Sequence, residues 1–182
     1  MLGQEEGHKT KIILASTSPR RREIFEHLGL DFEIMIPEGC VEQKSGDPVR
    51  LVKRNSIAKA RDVLKRIGDR KGRYLISGFD TIVSFKRKIL GKPSDTEEAY
   101  SFISFLSGKV HRVISGVCII DSITGRYESD IEITEVKFRS IGPEEIRSYL
   151  AGEDVLDKAG AYNISSTGAL LVEKINGCIL IL

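Results

Sequence analysis

Tyr74-Leu75-Ile76-Ser77-Gly78-Phe79-Asp80-Thr81-Ile82-Val83-Ser84-Phe85 is the stretch on which the fold turns. It is apolar and rich in β-branched and aromatic residues, which suits a buried strand, and it carries one carboxylate where a strand should carry none. The sequence predicts a strand interrupted near Gly78 to Thr81. Upstream, Ile12 to Ala15 is a short apolar run that reads as a first buried strand. It is followed by Ser16-Thr17-Ser18-Pro19, where Ser18 and Pro19 make the pairing of an N-cap with a first helical residue. A helix is therefore expected from Pro19 to about Gly29. Asp47-Pro48 repeats the signal for a longer helix to about Gly68. At about 100° per residue, Val49, Val52, Ile57, Ala60, Val63, Leu64 and Ile67 share one arc, and Lys59 falls just beyond its edge.

Downstream, Gly91 to Pro93 forms a loop, and a capping box from Ser94 to Glu97 opens a helix closing near Gly108. Val110 to Ile120 and Ile131 to Phe138 read as strands, with a turn at Thr124-Gly125. Gly142-Pro143 starts a short helix, and Ala169 to Ile175 and Ile179 to Leu182 flank Asn176-Gly177 as a hairpin. Helices and strands alternate irregularly, so the expected class is mixed α/β and not a regular doubly wound sheet.

The chain has 182 residues, 41% hydrophobic and 30% charged, which is enough for one full domain, or two small lobes sharing one sheet, and excludes disordered or collagenous classes. Residues 1–10 form a polar leader and residues 11–182 the expected domain. No apolar run approaches bilayer length and the first residues lack a secretory pattern, so a cytoplasmic protein is expected. Cys40, Cys118 and Cys178 are too scattered for a disulfide framework or a metal knuckle. Charge is balanced overall at +2, but residues 50–73 hold ten Lys and Arg against Asp62 and Asp69. That patch suggests an anionic partner. A nucleic-acid module is one reading of it, although no aromatic residue is interleaved to stack on bases.

Three places break the local rules. Arg20, Arg21 and Arg22 occupy the first turn of a helix, where the dipole disfavours cations unless an anion sits there. The hydroxyls of Ser16, Thr17 and Ser18, the free N–H groups and the guanidiniums could together receive a phosphate. Arginines turned to water are the plain alternative. Asp80 inside an apolar run needs a metal, a cation or a wet cleft, unless it is a turn aspartate bonded to local amides. Lys92, between Gly91 and Pro93, is placed to meet a phosphate as a point charge, or is an ordinary loop lysine. No Walker, dinucleotide or nucleophile-elbow motif occurs. His111 is expected to be a partly exposed strand residue.

Leu14-Ala15-Ser16-Thr17-Ser18-Pro19-Arg20-Arg21, Gly78-Phe79-Asp80-Thr81-Ile82-Val83, Leu90-Gly91-Lys92-Pro93, Leu106-Ser107-Gly108-Lys109-Val110-His111 and Asp157-Lys158-Ala159-Gly160-Ala161-Tyr162 together resemble the Maf family of nucleoside triphosphate pyrophosphatases. The resemblance implies a mixed, elongated sheet with flanking helices and two lobes around a deep cleft, like the inosine triphosphatases. It also implies hydrolysis of a nucleoside triphosphate to the monophosphate and pyrophosphate with Mg²⁺ or Mn²⁺, a house-cleaning role and a homodimer. By the same resemblance Asp80 is the proton acceptor, and Ser16, Arg21, Lys59 and Lys92 grip phosphates. Glu42 joins Asp80 at the metal, while Arg20 and Thr81 resemble the subgroup acting on dTTP and UTP, so the expected substrate is dTTP, UTP or a modified pyrimidine nucleotide. Where that subgroup has a Gln this chain has Ser165, whose hydroxyl does not reproduce an amide's paired donor and acceptor. The chain also ends at Leu182, where the family continues. A catalytically inactive regulatory member of the same fold is a further alternative.

Overall fold

The computed structural model describes residues 10–181, so the polar leader lies outside the described residues except for Thr10. Strands β1 (Lys11–Ala15) and β2 (Phe32–Ile34) flank helix α1 (Pro19–His27) in the chain, and α2 (Pro48–Ile67) precedes β3 (Tyr74–Phe85). Then come β4 (Lys88–Leu90), α3 (Thr96–Leu106), β5 (Val110–Asp121), β6 (Tyr127–Phe138), α4 (Pro143–Gly152) and β7 (Val172–Asn176). Short 3₁₀ turns occupy Ala159–Ala161, Thr167–Leu171 and Ile179–Ile181. The seven strands form one sheet in the order β2-β1-β3-β5-β6-β7, with β4 pairing β3. β1 runs parallel to β2 and β3, whereas β3–β4 and β6–β7 are antiparallel, which makes the sheet mixed as expected.

The chain divides into two compact units. The first takes in the described chain up to Glu42 together with Lys53–Phe79 and Val117–Asp130; the second takes in Gln43–Val52, Asp80–Gly116 and the described chain from Ile131 onward. In the first, Ala60, Val63 and Ile67 of α2 pack against Tyr74 and Ile76 of β3, with Ile13, Cys118 and Ile120 from β1 and β5. Burial pushes the Cys118 thiol up to about 11, so it behaves as a small core hydrophobe. The second unit buries Phe102, Ile103 and Leu106 of α3 and Ile146 and Tyr149 of α4 against Val83, Val113, Val136 and Phe138.

β3 is continuous over its 12 residues; no interruption occurs at Gly78 to Thr81. Gly78 serves a different purpose from the expected break. A Cβ there would lie 2.4 Å from the Ser56 carbonyl oxygen and 2.7 Å from the Ala60 nitrogen, so its bare Cα lets α2 lie directly on the strand. The α3 cap is displaced by one residue from the expected box. Asp95 is the N-cap and accepts from the Glu98 N–H at 2.8 Å, while the Glu98 carboxylate accepts from the Ser94 N–H at 2.7 Å.

The terminal hairpin does not form. β7 takes its pairing from β6, and the Thr134 hydroxyl donates to the Cys178 carbonyl at 2.9 Å, so the chain after Gly177 turns into a 3₁₀ segment. His111 is not partly exposed but 1% exposed. Arg112 faces solvent, and the two-residue period of the strand therefore turns His111 and Val113 to the other face and into the core.

Candidate active site

In the first unit the loop after β1 brings Ser16 and Arg21 together. The Ser16 Oγ accepts from the Ser18 N–H at 3.2 Å and from the Arg21 Nη1 at 3.1 Å. Both acceptor positions are thereby used, and the hydroxyl proton is what Ser16 has left to offer a ligand. Ser18, the expected cap, makes no side-chain capping bond. The Arg21 guanidinium also lies 5.1 Å from the centre of the Phe79 ring, a cation–π contact that fixes its direction. Phe79 itself packs edge-on against Phe25 of α1.

The arginine triplet therefore divides. Arg22 pairs with Glu26 at 2.8 Å on the exposed face, as the plain alternative supposed. Arg20 is half-buried, and loss of solvent lowers its pKa although Glu23 works in the opposite direction. A desolvated guanidinium at a helix start is stabilised by an anion.

Lys59 projects from α2 and pairs with Glu42 at 3.1 Å, with 15% of its side chain exposed against 47% for Glu42. The loop that carries Glu42 is clamped to the same helix. The Asp62 Oδ2 accepts from the Glu38 N–H at 3.0 Å, and Arg66 pairs with Glu38 at 3.1 Å and also donates to the Ile36 carbonyl. Residues 59, 62 and 66 share one helix face by their spacing of three and four. The charged edge of α2 is thus a fixture for the loop as well as a source of cations.

In the second unit Asp80 is 5% exposed and shares a face of β3 with Ile82 by strand parity. Neighbouring Thr81 shares a 2.6 Å hydrogen bond with Ser115 of β5. Lys92 is exposed, on a loop held by the Gly160 N–H donating to the Gly91 carbonyl at 2.9 Å. Gly160 has φ +71, and a Cβ on it would meet Val83 at 2.7 Å. The next residue, Ala161, is buried with φ 62, a left-handed conformation costing a non-glycine residue about 1–2 kcal/mol. Ser165 is exposed, and its N–H donates to the Asn163 Oδ1 at 3.0 Å. The candidates thus fall into two sets: Ser16, Arg20, Arg21, Glu42 and Lys59 in the first unit, and Asp80, Thr81, Lys92 and Ser165 in the second.

Several participants escape sequence reasoning. Phe79 lies inside the quoted Gly-Phe-Asp block, but nothing local says that its ring carries Arg21. Ser115 is legible only as a hydroxyl in an apolar strand. Behind the Ser165 loop, the His111 Nε2 and the Tyr162 hydroxyl share a 2.8 Å hydrogen bond, and the Asn163 N–H donates to the Tyr149 hydroxyl at 3.3 Å.

Burial lowers the His111 pKa to about 4, and its Nδ1 is buried without a hydrogen-bond partner among the described residues. The unfolded chain binds this proton near pH 6.5 and the folded chain only near 4, so the unfolded state holds more protons between those values. Stability should therefore fall as pH drops from 6.5 to 4, by on the order of 3 kcal/mol from this group. Melting curves across that range should show the decline, and His111→Phe should show a shallower one.

The two carboxylates expected from the sequence to hold a divalent ion fall in different units, Glu42 in the first and Asp80 in the second. Among the described residues no group of three His, Cys, Asp or Glu is placed to hold an ion. As oxygen donors, carboxylates are chemically suited to a hard ion such as Mg²⁺, which commonly keeps water ligands as well.

These features define a mixed-sheet α/β protein whose conspicuous groups are cations, hydroxyls and a buried carboxylate. Residues 11–180 match the Maf-like protein family model, and the chain belongs to the Maf family. It is 42% identical over 170 residues to a protein of Alkaliphilus oremlandii, covering 92% of this chain and 85% of that protein. It is 44% identical over 169 residues to one from Thermoanaerobacter sp., covering 92% and 86%, and 40% identical over 174 residues to one from Acetivibrio thermocellus, covering 92% and 86%. All three relatives are named dTTP/UTP pyrophosphatase. A solved nucleoside-triphosphatase / dITP/XTP pyrophosphatase of Mycobacterium abscessus aligns over 70% of this chain and 74% of its own, with 16% identity and a TM-score of 0.47.

Proposed function

We propose that this chain is a nucleoside triphosphate pyrophosphatase that hydrolyses dTTP and UTP to the monophosphate and pyrophosphate. The observation that carries the reading is the similarity, across 92% of the chain, to relatives bearing that name. The local geometry supports it. Arg21, held by Ser16 and the Phe79 ring, and Lys59, little exposed beside Glu42, are preorganised cations of the kind that stabilise phosphate charge.

In this reading water attacks the α-phosphorus and gives its proton to the Asp80 carboxylate. The bond from that phosphorus to the bridging oxygen breaks, and pyrophosphate departs with the bonding electrons. Ser16, Arg21, Lys59 and Lys92 hold the phosphates and neutralise charge on the leaving group, while Arg20, Thr81 and Ser165 act toward the base. Asp80 and Glu42 would hold Mg²⁺ or Mn²⁺, which supplies Lewis-acid polarisation of phosphoryl oxygens when bound. The proposal extends to a homodimer with a house-cleaning role in the cytoplasm. Among the described residues no helix is long and apolar enough to cross a membrane.

The nucleic-acid reading draws less support. Several cations of the basic stretch are already committed: Arg66 to Glu38, Arg70 to Glu33 and Arg73 to Asp121. Pyrophosphate release from a panel of nucleoside triphosphates with Mg²⁺ tests the proposal. dTTP and UTP are expected to turn over faster than the purine nucleotides. Absence of release from every triphosphate would overturn the enzyme reading, and a purine preference would overturn the substrate reading.

A further inference from the structure

A cavity of about 400 Å³ opens within the first unit between the loop at residues 39–41, α2 and the start of β6. None of Ser16, Arg20, Arg21, Glu42 and Lys59 lines it. Its size is that of a small-molecule site. Three cations line it, Arg54, Arg61 and Lys65, and their spacing of seven and four residues puts them on one strip of the helix. That strip is distinct from the buried stripe of Ala60, Val63 and Ile67.

Among the described residues, no carboxylate forms an ion pair with these cations, whereas α2 forms ion pairs through Lys59 and Arg66. The carboxylate on the wall, Asp62, is turned to the loop. Its Oδ2 accepts from the Glu38 N–H, and its Oδ1 lies 2.6 Å from where a Cβ on Gly39 would be. The Arg61 guanidinium is steadied 5.3 Å from the centre of the Tyr127 ring. Three cations in a concavity that pair with no carboxylate among the described residues, two of them planar guanidiniums, match the multiple oxygens of a phosphate group.

We propose that this pocket is a second site, apart from the residues assigned to hydrolysis, that binds a small phosphorylated molecule. The shared chemistry is a multiply charged phosphate, which could come from inorganic pyrophosphate or from a nucleoside monophosphate. A nucleic-acid strand fits less well, because beyond Lys65 the basic side chains Arg66, Arg70 and Arg73 are taken by carboxylates and the track does not continue.

The test is calorimetric titration of the full chain, without divalent metal, by inorganic pyrophosphate and separately by uridine monophosphate, with sulfate as the reference anion. Arg54→Gln/Arg61→Gln/Lys65→Gln should weaken binding about tenfold or more in at least one arm, and that arm identifies the ligand. Lys59→Ala should leave this binding event in place, and turnover by the triple variant at saturating substrate should stay within about twofold of the parent chain. If the triple variant does not fold, Arg54→Gln and Lys65→Gln alone should each show part of the loss. Titrations unchanged in the variants, lost equally in Lys59→Ala, or matched by sulfate in strength would overturn the proposal. The readout needs no turnover, so it stands or falls separately from the hydrolytic reading.

Discussion

Asp80→Asn is expected to lower the turnover number for dTTP by about 10²–10⁴-fold, with little change in nucleotide affinity. The side chain is 5% exposed on a continuous strand, and an amide of the same shape can occupy its place without repacking. What the amide lacks is a carboxylate oxygen to accept the attacking water's proton. A carboxylate this buried is costly to keep, which is the physical reason to assign it a chemical task rather than a packing one. The measurement is kcat in parallel with equilibrium binding of the nucleotide, with a melting curve to confirm the fold. If the variant turned over at the parental rate, Asp80 would be removed from the reaction, and the proton would have to be accepted elsewhere.

Gly78→Ala is expected to destabilise the protein by about 1–3 kcal/mol or more, since the added methyl has nowhere to go. The obstacles are mainly backbone: the Ser56 oxygen at 2.4 Å and the Ala60 nitrogen at 2.7 Å, with the Ala60 Cβ at 2.9 Å. Helix backbone cannot swing aside as a flexible side chain would, so α2 must lift from β3. On the other edge of the strand, Gly78 is paired with Ala15 at the end of β1, from which Ser16 and the start of α1 follow. A shift here therefore disturbs the segment that carries Arg21 as well as the helix that carries Lys59. A fall in melting temperature of at least about 2–4 °C, accompanied by weaker nucleotide binding, is the expected result. An unchanged melting temperature would mean that helix and strand are not in such close contact.

Local signals were legible wherever the physics is local. The start of α1 at Pro19 and of α2 at Pro48 follows from proline's fixed φ and its missing donor, and both helices begin where the sequence indicates. The edge position of Lys59 follows from helical period alone, and its small exposure agrees with it. Signals that depend on which partner wins were misread. Ser94 and Asp95 can both cap, and the choice fell to Asp95. Asn176-Gly177 is a good hairpin turn in isolation, but β6 had already claimed β7, leaving Ile179–Ile181 without a strand to pair. Gly78 reads as a breaker when considered alone, and only the helix lying against it shows that it is a point of contact. His111 was misplaced because a polar imidazole was expected near solvent, whereas the parity of β5 and a hydroxyl from Tyr162 take it inside.

The class of fold, the starts of α1 and α2, the candidate cations and the carboxylate at position 80 were determined by the order of residues alone, because propensity, capping and periodicity act over a few neighbours. Tertiary structure decided the rest: that Arg21 is aimed by Ser16 and Phe79, that Lys59 faces Glu42, that Thr81 meets Ser115, and that Arg54, Arg61 and Lys65 surround an unclaimed cavity. Apart from the Ser16–Arg21 bond, which spans five residues, these depend on segments distant in the chain or on the absence of a competing partner among the described residues. Such encounters are set by how helices and strands pack, which no local pattern encodes.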